Sequence, residues 1–266
     1  MAATVQDAIM LLGDSLTQGG YELNGFAAKL AHVYNRKMDV INRGFSGYNT
    51  DWILPVFEQV LYTPCFATQH EQQHVPKVRL LVIWFGANDA APPPKDQHVP
   101  LDRFRANLRK LLWMVRSPES PRYSPDTRIV LMTPPPVNTA QRERAQRAKS
   151  PLKELDRDFE MTRRYAEAVG EVGQQESVPV VDLWGKLYDA AGRKEESLEE
   201  FLTDGLHLNE KGYAVVFNEL DKTIKVNYPK YHYDNMQSVF AYSFDILANN
   251  PDKYMELTKK RSAFPE

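Results

Sequence analysis

The chain is poor in the features that mark several protein classes. It holds a single cysteine, Cys65, in 266 residues. No internal disulfide can form, and a reducing compartment fits. No apolar run approaches the roughly eighteen residues of a membrane span. The N-terminus lacks a basic region, and Gly13 and Asp14 cut its apolar stretch, so no signal peptide is expected. Residues Ser262 to Glu266 match no retention or peroxisomal address. Cytoplasm is therefore the expected location. Excess charge is also missing: the formal net charge is −2, which gives no footing for nucleic acid or an anionic membrane. Internal repeats and low-complexity tracts are absent.

What is present is an ordinary balance of 42% hydrophobic and 26% charged residues. That suits one domain of α/β size with a tail. Residues Ala8 to Leu12 run straight into Gly13, Asp14 and Ser15, which predicts a buried strand closed by a sharp turn. Further strands are predicted at 38–41, 78–85, 128–132 and 178–183. Apolar residues recur at helical spacing at Phe26, Leu30 and Val33, at Trp52, Val56 and Val60, along Leu101 to Val115, and from Leu155 to Val172. Residues 62–77 read as a surface loop and 195–201 as a short acidic helix. Asn209 is placed to cap a last core helix bearing Tyr213, Val216, Phe217, Leu220 and Ile224. Residues 139–157 hold six Lys or Arg against three Asp or Glu, and the simpler reading is a solvated loop or helix face.

Strands separated by helices imply βαβ units, hence a parallel sheet covered on both faces. Right-handed crossovers then bring every strand's carboxyl end to one edge. Residues 1–226 are expected to form the domain. Residues 227–266 are expected to be an aromatic-rich extension lying across the domain or across a partner subunit, which leaves a homodimer open.

Four polar clusters follow predicted strands or sit in a late loop: Gly13 to Ser15, Gly44 to Gly47, Gly86 to Asp89, and Thr203 to His207. A lone serine after a strand is more often a helix cap than a nucleophile. Together the clusters hold the parts that serine-dependent acyl transfer needs. A serine attacks a carbonyl carbon, a histidine takes its proton, and a carboxylate orients that histidine. Asp204 and His207, three apart in one loop, can both face Ser15. Candidate donors to a developing oxyanion are the backbone N–H groups of Ser15 and Gly47 and the side-chain amide of Asn88. An amide donates at any working pH.

In order, Gly13-Asp14-Ser15-Leu16 with Thr17, then Gly47, then Gly86 to Asp89, then Asp204 to His207 resemble the four blocks of the GDSL or SGNH hydrolase family. Arg43 to Tyr48, Phe85 to Ala90, Leu202 to His207, Lys211 to Tyr213, and Tyr228 to His232 with Asn235 and Met236 are similar to its isoamyl acetate-hydrolysing esterase branch. The resemblance spans residues 8–236. It implies a flavodoxin-like three-layer α/β/α sandwich with a five-stranded parallel sheet of order 2-1-3-4-5, and no metal or other cofactor. It also implies that Ser15, Asp204 and His207 form a catalytic triad, with Ser15, Gly47 and Asn88 as the oxyanion hole. The basic segment 139–157 and the tail beyond Met236 depart from that branch.

The activity implied is hydrolysis of small carboxylic esters with short acyl groups such as acetate, through an acyl-serine intermediate, with lipid degradation as the general process. The same machinery would serve a carbohydrate O-acetyl esterase, a lysophospholipase or a thioesterase. A non-catalytic flavodoxin-like binding module is the alternative of another class. Against it, Asp14 puts a carboxylate where phosphate would sit. The α/β-hydrolase elbow is missing, since Thr17 stands where its second glycine belongs. The expected partner is a small ester, with no nucleic acid and no membrane insertion.

Simpler roles cover the remaining residues. Asp14 is expected to bond turn amides, and Asp89 to cap the segment after Asn88. His32, His70, His74, His98 and His232 are expected at the surface or in packing. His70 and His74 have the spacing to grip a metal on a helix, but they sit among glutamines before Pro76. Pro92 to Pro94 and Pro134 to Pro136 end strands. Trp84 and Phe85 belong in the core, and Cys65 is a bystander.

Overall fold

The computed structural model of the chain describes residues 6–61, 76–240 and 244–265. The expectations for Cys65, His70, His74 and most of the 62–77 loop lie outside the described residues. Five strands form one sheet: β1 (Ala8–Gly13), β2 (Asp39–Gly44), β3 (Val78–Trp84), β4 (Arg128–Met132) and β5 (Val180–Val181). Their order is β2-β1-β3-β4-β5 and every pairing is parallel, as the resemblance implies. All six residues of β1 are buried, because helices cover both faces of the sheet and leave no polar alternation to show.

Alternate residues of β1 enter separate cores. Ile9 and Leu11 pack with Trp84, Phe26, Leu30, Tyr213 and Leu220. Met10 and Leu12 pack with Ile83, Ile53, Phe57, Phe104 and Val169. The covering helices are α1 (Ser15–Gln18), α2 (Phe26–Val33), α3 (Thr50–Val60), α4 (Leu101–Arg116), α5 (Thr139–Arg147), α6 (Phe159–Glu176), α7 (Leu183–Ala190) and α8 (Glu210–Asn227). Local caps set several starts. Asn49 accepts from Trp52 N at 3.0 Å, Asn138 from Gln141 N at 2.9 Å and Asn209 from Gly212 N at 3.1 Å.

Three elements differ from the pattern read in the sequence. Helix α6 begins at Phe159 rather than Leu155, because Asp158 caps it at Met161 N and Arg157 is drawn to the sheet edge. The fifth strand pairs only at Val180 and Val181, and Asp182 then caps α7 through Gly185 N at 2.9 Å. The apolar run hid that turn. The 195–201 segment is a 3-10 turn over Glu196–Glu200.

The chain end packs on the amino edge of the sheet. Tyr34 Oη donates to Tyr231 O at 2.9 Å and Lys37 Nζ to Tyr233 O at 2.6 Å. Val239 N donates to Arg36 O at 2.7 Å and Gln237 N to Ala263 O at 2.9 Å. Met236, Val239 and Ala263 are buried there.

Candidate active site

Strand β1 ends at Gly13, where an added Cβ would lie 2.0 Å from Thr17 Oγ1. Only glycine permits so tight a turn into α1. Asp14 caps that turn, accepting from Leu16 N at 2.9 Å, and Ser15 opens the helix at the carboxyl edge of the sheet. The loop after β2 is tied to the same turn: Phe45 N donates to Gly13 O at 2.8 Å and Ser46 N to Gln18 Oε1 at 2.9 Å. That bond network holds Gly47 beside α1, with its φ at +83°, a conformation that favours glycine.

The Asp204 and His207 loop is a small hairpin. Leu202 bridges Leu208, and Thr203 N donates to His207 O at 2.8 Å. Its tip, Gly205, has φ +82° and its carbonyl accepts from Asn138 N at 3.0 Å. The hairpin puts His207 Nε2 3.0 Å from Ser15 Oγ. His207 Nδ1 lies 3.0 and 3.2 Å from the two Asp204 oxygens. Asp204 Oδ1 also accepts from the backbone N–H groups of Leu206 and His207 at 3.1 and 2.9 Å. Burial works to raise the Asp204 pKa, yet its bonds to His207 and the nearby Arg142 charge outweigh burial and hold the carboxyl well below the usual range.

Asn88 follows β3 after Gly86, whose φ is +119°. Its Nδ2 donates to Tyr48 O at 2.8 Å, and its Oδ1 accepts from Arg157 Nη2 at 2.6 Å and from Gln97 Nε2 at 3.2 Å. Gln97 Nε2 also reaches Gly47 O at 2.8 Å. The bond to Tyr48 O takes one of the two Nδ2 hydrogens of Asn88.

Asp14 is turn-bonded, as read from the sequence. Its burial pushes the carboxyl up to about 7. Asp89 does not cap the segment after Asn88. It accepts from Thr50 N at 2.8 Å and from Thr50 Oγ1 at the start of α3, and burial pushes it up to about 6. His232 is buried in packing and pairs with Asp221 Oδ1 at 3.1 Å. Trp84 and Phe85 lie in the core.

The basic segment is the main correction. It is not simply a solvated face: Arg142 and Arg157 are 4% and 2% exposed. Arg142 bonds Asp204, and Arg157 bonds Asn88. No local signal marks them, because those partners lie 62 and 69 residues away. Among the described residues, no group of three or more His, Cys, Asp or Glu is placed to hold a metal, and no helix is long and apolar enough to cross a membrane.

The pattern of the GDSL-like lipase/acylhydrolase family matches residues 11–215. A GDSL esterase/lipase of Arabidopsis thaliana is 35% identical over 220 residues, which cover 82% of this chain and 85% of that one. The isoamyl acetate-hydrolyzing esterase 1 homolog of Bos taurus is 35% identical over 214 residues, covering 80% and 79%. The crystal structure of the lipase/acylhydrolase from Enterococcus faecalis matches with TM-score 0.57 at 24% identity, over 83% of this chain and 96% of that one. That structural likeness speaks for the fold. The sequence matches take in the serine turn, the Asn88 loop and the Asp204 hairpin, and by them the chain belongs to the GDSL-like lipase/acylhydrolase family and is a carboxylic ester hydrolase.

Proposed function

We propose that the protein is a serine esterase for small carboxylic esters with short acyl groups, acetate esters foremost. The observation that carries this reading is the chain of hydrogen-bond distances from Ser15 Oγ to His207 Nε2 and from His207 Nδ1 to Asp204. As Ser15 Oγ attacks the carbonyl carbon, its proton passes to His207 Nε2. Asp204 fixes the tautomer and stabilises the imidazolium. The carbonyl oxygen takes up the negative charge and meets the N–H groups of Ser15 and Gly47 and the Asn88 amide. His207 returns the proton to the alcohol as the ester C–O bond breaks, leaving acyl-Ser15. A water then gives a proton to His207 and attacks the acyl carbon, and His207 returns that proton to Ser15 Oγ as the acyl C–O bond breaks and the acid leaves. The nucleophile has its own base, so this route needs no metal to activate it.

Preference for acetate is supported by kinship with the bovine protein, whose name carries isoamyl acetate hydrolysis. The five residues of this reading fall within 1–226, taken as the catalytic domain with 227–266 as its extension. The lone cysteine supports a reducing, cytoplasmic setting. The test is hydrolysis of p-nitrophenyl acetate together with labelling by a fluorophosphonate. Ser15→Ala is expected to lose label and to cut turnover by about 10⁶, with its melting temperature unchanged. Near wild-type turnover in Ser15→Ala would overturn the proposal. Acetylated xylan or a long-chain acyl-thioester turned over faster than small acetate esters would move the reading to a sister activity.

A further inference from the structure

Three charged residues of the 139–157 segment run in a line from one side of the site to the other. Arg142 donates Nη1 to Asp204 Oδ2. Its Nε and Nη2 grip Asp156 at 2.7 and 2.9 Å, a forked pair of charge-assisted bonds. Asp156 leads to the next guanidinium. Arg157 Nη1 donates to Asp156 O at 2.6 Å and lies 3.5 Å from Asp156 Oδ2. Arg157 Nε donates to Ala87 O at 2.7 Å, and its Nη2 to Asn88 Oδ1 at 2.6 Å and Gln97 Oε1 at 2.9 Å. Two buried cations therefore face two carboxylates, and the line joins Asp204 at one end to Asn88 at the other.

The consequence for Asn88 is orientational. A side-chain amide can turn end for end, and only one orientation offers a hydrogen to substrate. Arg157 carries donors alone, so it donates to Oδ1 of Asn88 and has no acceptor for the turned amide. Tyr48 O at the other end of the amide reinforces the choice. The nearby positive charge also polarises the amide and strengthens its remaining N–H as a donor. At the other end, Arg142 binds Asp204 Oδ2, the same oxygen that lies 3.0 Å from His207 Nδ1.

We propose that Arg142, Asp156 and Arg157 are positioning residues, a partly buried ion-pair chain that fixes the Asp204 carboxylate and the Asn88 amide as one unit for the transition state. The inference rests on the serine-esterase reading above. Lysine cannot replace Arg157, since a single ammonium cannot reach Ala87 O, Asn88 Oδ1 and Gln97 Oε1 from one fixed fork.

The experiment measures kcat and KM on p-nitrophenyl acetate, with melting temperatures, for Arg157→Lys, Gln97→Ala, Asn88→Ala, the two corresponding doubles and Ser15→Ala. Arg157→Lys is expected to lower kcat about tenfold, a fraction of the 10²–10³ that loss of an oxyanion donor costs, with KM little changed. In the Asn88→Ala background the same substitution is expected to have no further effect on kcat, because the residue acts through that amide. A merely structural role would lower stability and reduce kcat by the same factor in both backgrounds, which overturns the proposal. Gln97 is only half-buried, so Gln97→Ala repeats the cycle if Arg157→Lys does not fold. Wild-type kcat in the folded single variants, with Ser15→Ala inactive, overturns the ion-pair chain alone. Activity surviving in Ser15→Ala overturns the serine reading and the chain with it.

Discussion

At the scale of single residues, the carboxyl beside Ser15 is held far above its ordinary range. Asp14 is 1% exposed, and its bond from Leu16 N is the largest of the interactions that partly offset the loss of water. Burial raises it to about 7 from a starting value of 3.8. Between those two pH values the folded chain binds more protons at this site than the unfolded chain. Stability from this group is therefore full below about pH 4 and is lost as pH rises toward 7. Each pH unit across that window is worth at most about 1.4 kcal/mol. Asp89, raised to about 6 by burial, acts in the same direction. Asp14→Asn keeps a capping oxygen for Leu16 and cannot ionise. Calorimetry at pH 5 and pH 8 is expected to show the variant gaining on wild type at the higher pH, and a constant difference would mean that Asp14 does not titrate there. Asn88→Ala tests the other side of the site. Its kcat is expected to fall by about 10²–10³, and a loss confined to KM would make Asn88 a ground-state binding residue instead.

At the scale of elements, the Leu202 to Leu208 hairpin shows what local sequence can and cannot say. Its tip glycine is required twice over. Gly205 has φ +82°, and an added Cβ would fall 2.4 Å from Arg142 N and 2.6 Å from Asn138 O. Both are backbone atoms of the α5 start, which cannot yield as a flexible side chain can. Gly205→Ala is expected to cost at least about 2 kcal/mol in urea unfolding, and to lower kcat because the whole Asp204 and His207 pair must move. Unchanged kcat at reduced stability would show that the hairpin shifts without carrying the pair. The caps at Asn49, Asn138 and Asn209 and the turn at Gly13 are short-range devices. The sequence marks them through residue type and spacing, and Asn209 was legible for that reason. The burial of Arg142 and Arg157 was not legible. A run of cations looks the same whether it meets water or a carboxylate 62 residues later. Helix α7 hid behind β5 because an apolar run has no period of its own.

At the scale of the whole molecule, alternation of strands and helices dictates a parallel sheet and gathers the polar turns on its carboxyl edge. The order of the strands does not follow from periodicity, and came from the family blocks instead. The opposite, amino edge carries the chain end, and Tyr231, Tyr233 and Phe264 show how. Tyr233 meets Tyr34 edge to face at 5.5 Å. Phe264 lies 5.4 Å from the Tyr231 ring, with Arg79 and Lys230 each 5.5 Å from its centroid. Arg79 is the second residue of β3 and binds Asp7 at 2.7 Å, so Phe264 ties the last residues of the chain to the first strands. An edge-to-face pair contributes about 0.5–1.5 kcal/mol beyond area burial, and an exposed cation–π contact about 0.5–1. Phe264→Ala is therefore expected to cost about 2 kcal/mol. For a chain of this size that corresponds to a fall of about 4–8 °C in melting temperature. Because Met236, Val239 and Ala263 share a core with β1 and β3, the loss should appear as a shift of one calorimetric transition rather than as an early separate step. Turnover on p-nitrophenyl acetate is expected to stay at the wild-type value, since the Ser15 and His207 pair lies at the other edge of the sheet. A separate low-temperature transition would show instead that the chain end melts on its own and that the two edges are not held by one core.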